Sequence, residues 1–101
     1  MDDIDVLMDC AGFDWNRGNI EKNWLKHKVS PVECEQVFFN RPLIVSGDPK
    51  HSTSERRFAA FGSTDAGRLL AIIFTKRKKS LRVISARDMN RKERKFYEQN
   101  Q

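Results

Sequence analysis

Apolar and polar positions change period twice along this chain, from helical spacing near the start, to strand-like runs in the middle, and back to helical spacing at the end. Phe13 and Trp15 flank Asp14, which predicts a short strand entering a helix. Asn16 or Asp14 caps that helix, which runs from about Arg17 to His27 with Ile20, Trp24 and Leu25 as its apolar stripe. Gly18 weakens its first turn. Ser30-Pro31-Val32-Glu33 is a strong second start: Ser30 caps, Pro31 suits the first helical position, and Glu33 completes a capping box. Cys34, Val37 and Phe38 then face inward, and Asn40 and Pro42 end the helix. Short strands follow at Leu43–Ser46, Arg56–Gly62, Arg68–Thr75 and Leu81–Ala86. Between them lie a turn at Gly47–Lys50, a polar loop from His51 to Glu55, a hairpin connection with Asp65 and Gly67, and a basic turn at Lys76–Lys79. Asn90 and Glu93 cap a last helix carrying Phe96 and Tyr97. The expected fold is α+β: two helices, an antiparallel meander of about four strands, and a closing helix.

At 101 residues the chain has material for one modest core. Residues 1–12 read as an acidic leader, either mobile or a cover for a basic face, and 13–101 as a single domain. The net charge is +5, unevenly spread. Residues 1–15 hold five aspartates and no lysine or arginine, which leaves 16–101 at +10. That points to an anionic partner: nucleic acid, an acidic protein or a membrane surface. Cys10 and Cys34 have no metal-ligand spacing and make no disulfide framework. The first residues lack a basic signal-peptide region, and no apolar run approaches the roughly 18 residues of a membrane span. A cytoplasmic, reduced protein is expected.

Two residue types then carry the chemistry. His27 stands between Lys26 and Lys28, and arginines recur at Arg56-Arg57, Arg82, Arg87, Arg91 and Arg94. Histidine is the side chain that titrates near neutrality, and arginine presents a planar fork matching a phosphate. RNA cleavage by its own 2′-hydroxyl needs a proton acceptor, a proton donor, and fixed cations for the charge developing on phosphorus. His27 suits proton transfer, with Lys26 as electrostatic support or as a base; Arg57, Arg82 and Arg87 suit the phosphate. On a regular helix His27 lies on the side of the apolar stripe and Lys26 points away. On a regular strand Arg82 and Arg87 have opposite parity, so only a bulge or an early strand end brings them together. Arg56 and Lys76, Arg77, Lys78 and Lys79 are candidates to hold RNA backbone, or plain solvated residues. His51 reads as an exposed loop residue, Trp24 as core with base stacking as the minor alternative, and Tyr97 as a buried anchor or a stacking residue. No glycine-rich phosphate loop, zinc spacing or paired-carboxylate signature is present.

The ordered motifs Phe13-Asp14-Trp15-Asn16, Asn23 to Ser30, Asp48 to Ser52, Glu55-Arg56-Arg57-Phe58, Arg68-Leu69-Leu70 and Arg82 to Arg87 resemble the BrnT-type toxins over about Phe13 to Glu98. The resemblance implies a RelE-like α+β fold and a ribonuclease toxin of a type II toxin–antitoxin system that inhibits translation. No cofactor and no metal are expected. The resemblance also implies a cognate ribbon-helix-helix (BrnA-like) antitoxin, operator DNA bound through that antitoxin, and a hetero-oligomer. Lys26, His27, Arg57, Arg82 and Arg87 match the family's functional positions. The chain departs from the pattern at Lys28, where glycine commonly follows the histidine. The rival readings are a basic module that grips RNA or DNA without cutting it, and a protein-interaction domain.

Overall fold

The computed structural model describes residues 4–51 and 54–100, with the side chain of His51 outside the described part. Five strands form one mixed sheet in the order β1-β5-β4-β3-β2. They are β1 (Gly12–Phe13), β2 (Ile44–Gly47), β3 (Arg57–Ser63), β4 (Leu69–Arg77) and β5 (Ser80–Asp88). Three helices accompany them: α1 (Arg17–His27), α2 (Pro31–Phe39) and α3 (Arg91–Gln99). Strands β2 to β5 form the expected antiparallel meander; β1 adds a two-residue parallel pairing to β5.

Directly paired residues on neighbouring strands share a face of the sheet. On one face, Phe58, Ala60, Leu70, Ile72, Phe74 and Val83 pack beneath α2, where Cys34, Val37 and Phe38 are buried. Gly62 lies on that face, where an added Cβ would stand 3.0 Å from Val37 Cγ1, so the helix approaches too closely for a side chain. On the other face, α3 covers one end: Tyr97 and Met89 bury against Ala71, with Ile44, Phe61 and Leu69 around them. The Tyr97 hydroxyl donates to the Pro42 carbonyl at 2.6 Å, which makes it a buried anchor rather than a stacking residue. Arg57 of β3 and Arg82 and Arg87 of β5 project on this second face.

The capping residues act as their sequence indicates. Asn16 accepts from Gly18 and Asn19, and Ser30 with Glu33 and Asn90 with Glu93 form complete capping boxes. The expected apolar stripe of α1 does not face a core: Trp24 and Leu25 are 48% and 73% exposed. Helix α1 instead lies along the outer edge of β5. Asn19 Nδ2 donates to the Val83 carbonyl, and buried Asn23 accepts from the Ala86 N–H at 3.2 Å. A strand edge presents backbone donors and acceptors, so the residues facing it are amides rather than hydrocarbons. The segment before β1 forms a 3-10 turn over Ile4–Leu7, and Ile4, Val6, Leu7 and Cys10 pack against the main core.

Candidate nucleic-acid interface

The arginine geometry is set by strand register. Arg57 of β3 and Arg82 of β5 both pair with Thr75 of β4, so the two flank it on one face. With strands about 4.8 Å apart, their Cα atoms are separated by roughly 10 Å, close enough for two long side chains to converge on one phosphate. Thr75 is buried and donates its hydroxyl to the Arg56 carbonyl at 2.8 Å, fixing the start of β3 beside it. The Arg82 Nε is buried without a hydrogen-bond partner among the described residues.

Ile73 pairs with Ser85 and Phe74 with Val83, which leaves Ile84 as an extra residue on β5. This bulge reverses the parity beyond it, so Arg87, paired with Ala71, projects on the same face as Arg82. The two remain four register steps apart, about 13 Å along the strand. Arg87 makes a bidentate pair with Glu93 at 2.6 and 2.9 Å. Hydrogen bonding to Arg87 holds the Glu93 carboxyl below the usual range, and Glu93 raises Arg87 in turn.

His27 and Lys26 occupy the last turn of α1. Because α1 follows β5 from Val83 to Ala86, this turn stands toward Asp88 and Arg87 rather than beside Arg57 and Arg82. Lys26 is exposed and His27 half-buried. Arg68 fixes the helix end: its guanidinium donates to the His27 and Lys28 carbonyls at 2.9 and 2.7 Å, to Glu33 at 3.0 Å, and to both Asp88 oxygens. The Asp88 carboxylate raises the Arg68 pKa, and Arg68 lowers that of Asp88.

The backbone-holding candidates divide. Arg77, paired with Ser80 at the far end of the arginine face, pairs ionically with Glu55 at 3.4 Å. Arg56 stacks on Phe58, and Lys76 meets Asp9 at 3.5 Å; both residues fall on the α2 side by strand alternation. Lys76 and Arg77 are strand residues rather than turn residues; the turn is Lys78 and Lys79, both exposed, with Lys78 at φ 56. Among the described residues no group of three or more His, Cys, Asp or Glu side chains is placed to hold a metal ion.

A model of the family described as the ribonuclease toxin, BrnT, of type II toxin–antitoxin systems matches residues 15–93, a span that contains Lys26, His27, Arg57, Arg82 and Arg87. The chain belongs to the BrnT family. The fold agrees with it. A crystal structure of the Brucella abortus ribonuclease toxin, BrnT, superposes with a TM-score of 0.57 at 21% identity, over 79% of this chain and 97% of that one. Among curated proteins none matches this sequence.

The BrnT pattern also clarifies Lys28. It adopts the left-handed conformation, φ 55 and ψ 41, and closes α1 with its N–H on the Trp24 carbonyl while Val29 reaches back to Asn23. That is an αL-type ending, in which glycine is the usual residue. Lys28 keeps the geometry here and lays its ammonium over the Trp24 ring at 5.3 Å. Sequence reasoning missed Arg68, Thr75 and the second role of Glu93. Arg68 fell within a motif of the family resemblance, but nothing in the spacing of either Arg68 or Thr75 announces a helix-end clamp or a bond to a neighbouring strand.

Proposed function

We propose that this chain is a metal-independent endoribonuclease toxin that inhibits translation, with the arginine face as its RNA surface. The observation that carries the reading is the register placing Arg57 and Arg82 either side of Thr75, together with the bulge that turns Arg87 to the same face. In the reaction, the 2′-oxygen attacks the adjacent phosphorus and the bond from phosphorus to the 5′-oxygen breaks. His27, with Lys26, handles both protons: it takes one from the 2′-hydroxyl and delivers one to the departing 5′-oxygen. Arg57 and Arg82 hold backbone phosphate charge; Arg87 joins them while still paired with Glu93. The products are a cyclic 2′,3′-phosphate end and a 5′-hydroxyl end. A single strand crossing from Arg57 and Arg82 to Arg87 and His27 spans more than one phosphate, so the cations need not all meet at the scissile one.

The partner we propose is a small ribbon-helix-helix antitoxin of the BrnA type, which masks the toxin and carries the complex to operator DNA. Because such antitoxins dimerise, the complex is a hetero-oligomer. The test is purified chain, freed of any partner, incubated with end-labelled RNA in chelator. Cleavage to cyclic-phosphate ends, lost in His27→Ala and Arg82→Ala, supports the proposal. Metal-dependent cutting rejects the metal-free mechanism, and wild-type cleavage by His27→Ala rejects the role of His27. Bound but intact RNA favours a gripping module, a rival reading favoured by the engagement of Arg87 with Glu93.

A further inference from the structure

Between the two ends of the arginine face lies a hollow of about 250 Å³. Its lining includes one register row, Ser46–Ala59–Ile73, two of whose three members are small, with Gly47 and Asp48 beside it. Phe61 closes one side, and the Arg87–Glu93 ion pair stands at the rim. The row of Arg57, Thr75 and Arg82 lies two residues along the strands, roughly 6.7 Å away. Ser46 and Ala59, paired on adjacent strands, keep that part of the lining low beside Ile73. Ile73 and Phe61 give that space apolar contacts, while the fixed ion pair offers a donor and an acceptor edge.

From this juxtaposition we infer that the hollow is a nucleobase subsite, which takes one base of the RNA whose phosphate rests on Arg57 and Arg82. The inference rests on the reading of this face as an RNA surface. A flat ring needs apolar contact on its faces and hydrogen-bonding groups at its edge, with cations one step away for its phosphate. The hollow supplies these in that order. A neutral peptide side chain would use the apolar part but make no use of the guanidinium groups one step away. Choice of base falls to the Arg87–Glu93 rim, because arginine donors and carboxylate acceptors distinguish the edges of the bases. The site therefore sets which sequence is cut.

The test is amide NMR of the full chain titrated with the nucleoside 3′-monophosphates, ribose 5-phosphate and inorganic phosphate. Nucleotides are expected to shift the Ala59, Ala71 and Ile73 amides, while the two base-free anions shift only those around Arg57 and Arg82. Ala59→Leu fills the hollow from β3 and should weaken nucleotide binding about tenfold, the scale of one lost base contact. The response to inorganic phosphate should persist. Ser46→Leu fills the same space from β2 and should act alike, which separates filling from misfolding at one position. Nucleotides that behave as ribose 5-phosphate, or filled variants that bind them as wild type does, would overturn the inference. Mapping the cut ends of a long transcript separates the two readings. Nucleotides seated in the hollow with uncut RNA support the subsite and reject the ribonuclease. Cut RNA with nucleotides outside the hollow rejects the subsite alone.

Discussion

Lys28 shows how one residue departs from its neighbours' geometry. A left-handed conformation costs an L side chain about 1 kcal/mol, and the cation–π contact with an exposed Trp24 returns only part of it. Lys28→Gly is therefore expected to stabilise the chain by about 0.5–1 kcal/mol, read as a higher urea midpoint at unchanged slope. The two β5 arginines should respond in opposite ways. Arg82 has a buried Nε with no partner among the described residues, so Arg82→Ala removes a desolvated group and should change stability by no more than about 0.5 kcal/mol while weakening RNA binding. Arg87→Ala breaks the bidentate pair with Glu93 and should cost about 1 kcal/mol. Paired unfolding and RNA-binding measurements on the two variants check this. Equal destabilisation would make Arg82 structural.

At the scale of elements, α1 against β5 is the informative case. Asn23 is 2% exposed and supplies the acceptor for the Ala86 N–H just beyond the bulge. Asn23→Ala would leave that amide unpaired, for a cost of about 1–3 kcal/mol, and hydrogen exchange should rise first at Ala86. The helix ends were legible because capping is local: Ser30 with Glu33, and Asn90 with Glu93, are three residues apart in the chain and three apart in the bond. The meander was legible because its connections are short. The inward face of α1 was not, because an apolar stripe signals burial only where the neighbour is also apolar, and a strand edge is not. The site was half legible for the same reason. Residue type marked Arg57, Arg82 and Arg87, and parity arithmetic set out the need for a bulge, but only pairing locates the extra residue at Ile84. Arg68 joins α1, α2 and β5 through partners 35 or more residues away by chain or by 20 to Asp88, a relation no local pattern encodes.

Across the whole molecule, charge is arranged so that carboxylates brace the frame and cations face outward on the sheet. The leader contributes to this: its Ile4, Val6 and Leu7 pack on the core while Asp9 meets Lys76. Both cysteines are free. Burial, reinforced by Glu33 and Glu35, pushes the Cys34 thiol up to about 12. In the folded chain Cys34 should therefore resist alkylation at neutral pH, and its labelling rate should follow global opening.

The brace itself should fail in acid. Asp88 is lowered chiefly by hydrogen bonding to Arg68, and Glu93 chiefly by Arg87. Glu33 is lowered as well: partial burial opposes the shift, but bonds from the Ser30 backbone and from Arg68 outweigh it. A carboxyl whose folded pKa lies below its unfolded value, near 4, binds protons more readily in the unfolded chain. Its stabilisation is thus complete above that unfolded value and is lost as pH falls through the depressed folded one. Melting temperature is expected to be flat from about pH 7 to 5 in these groups and to drop below about pH 4. Glu93→Gln should lower the neutral plateau and flatten the acid limb, since the residue no longer titrates, while the Asn90 cap still holds α3. An acid limb of unchanged steepness in both Glu93→Gln and Asp88→Asn would show that other carboxylates govern acid unfolding, and that the arginine pairs at the helix ends contribute little to holding the sheet and helices together.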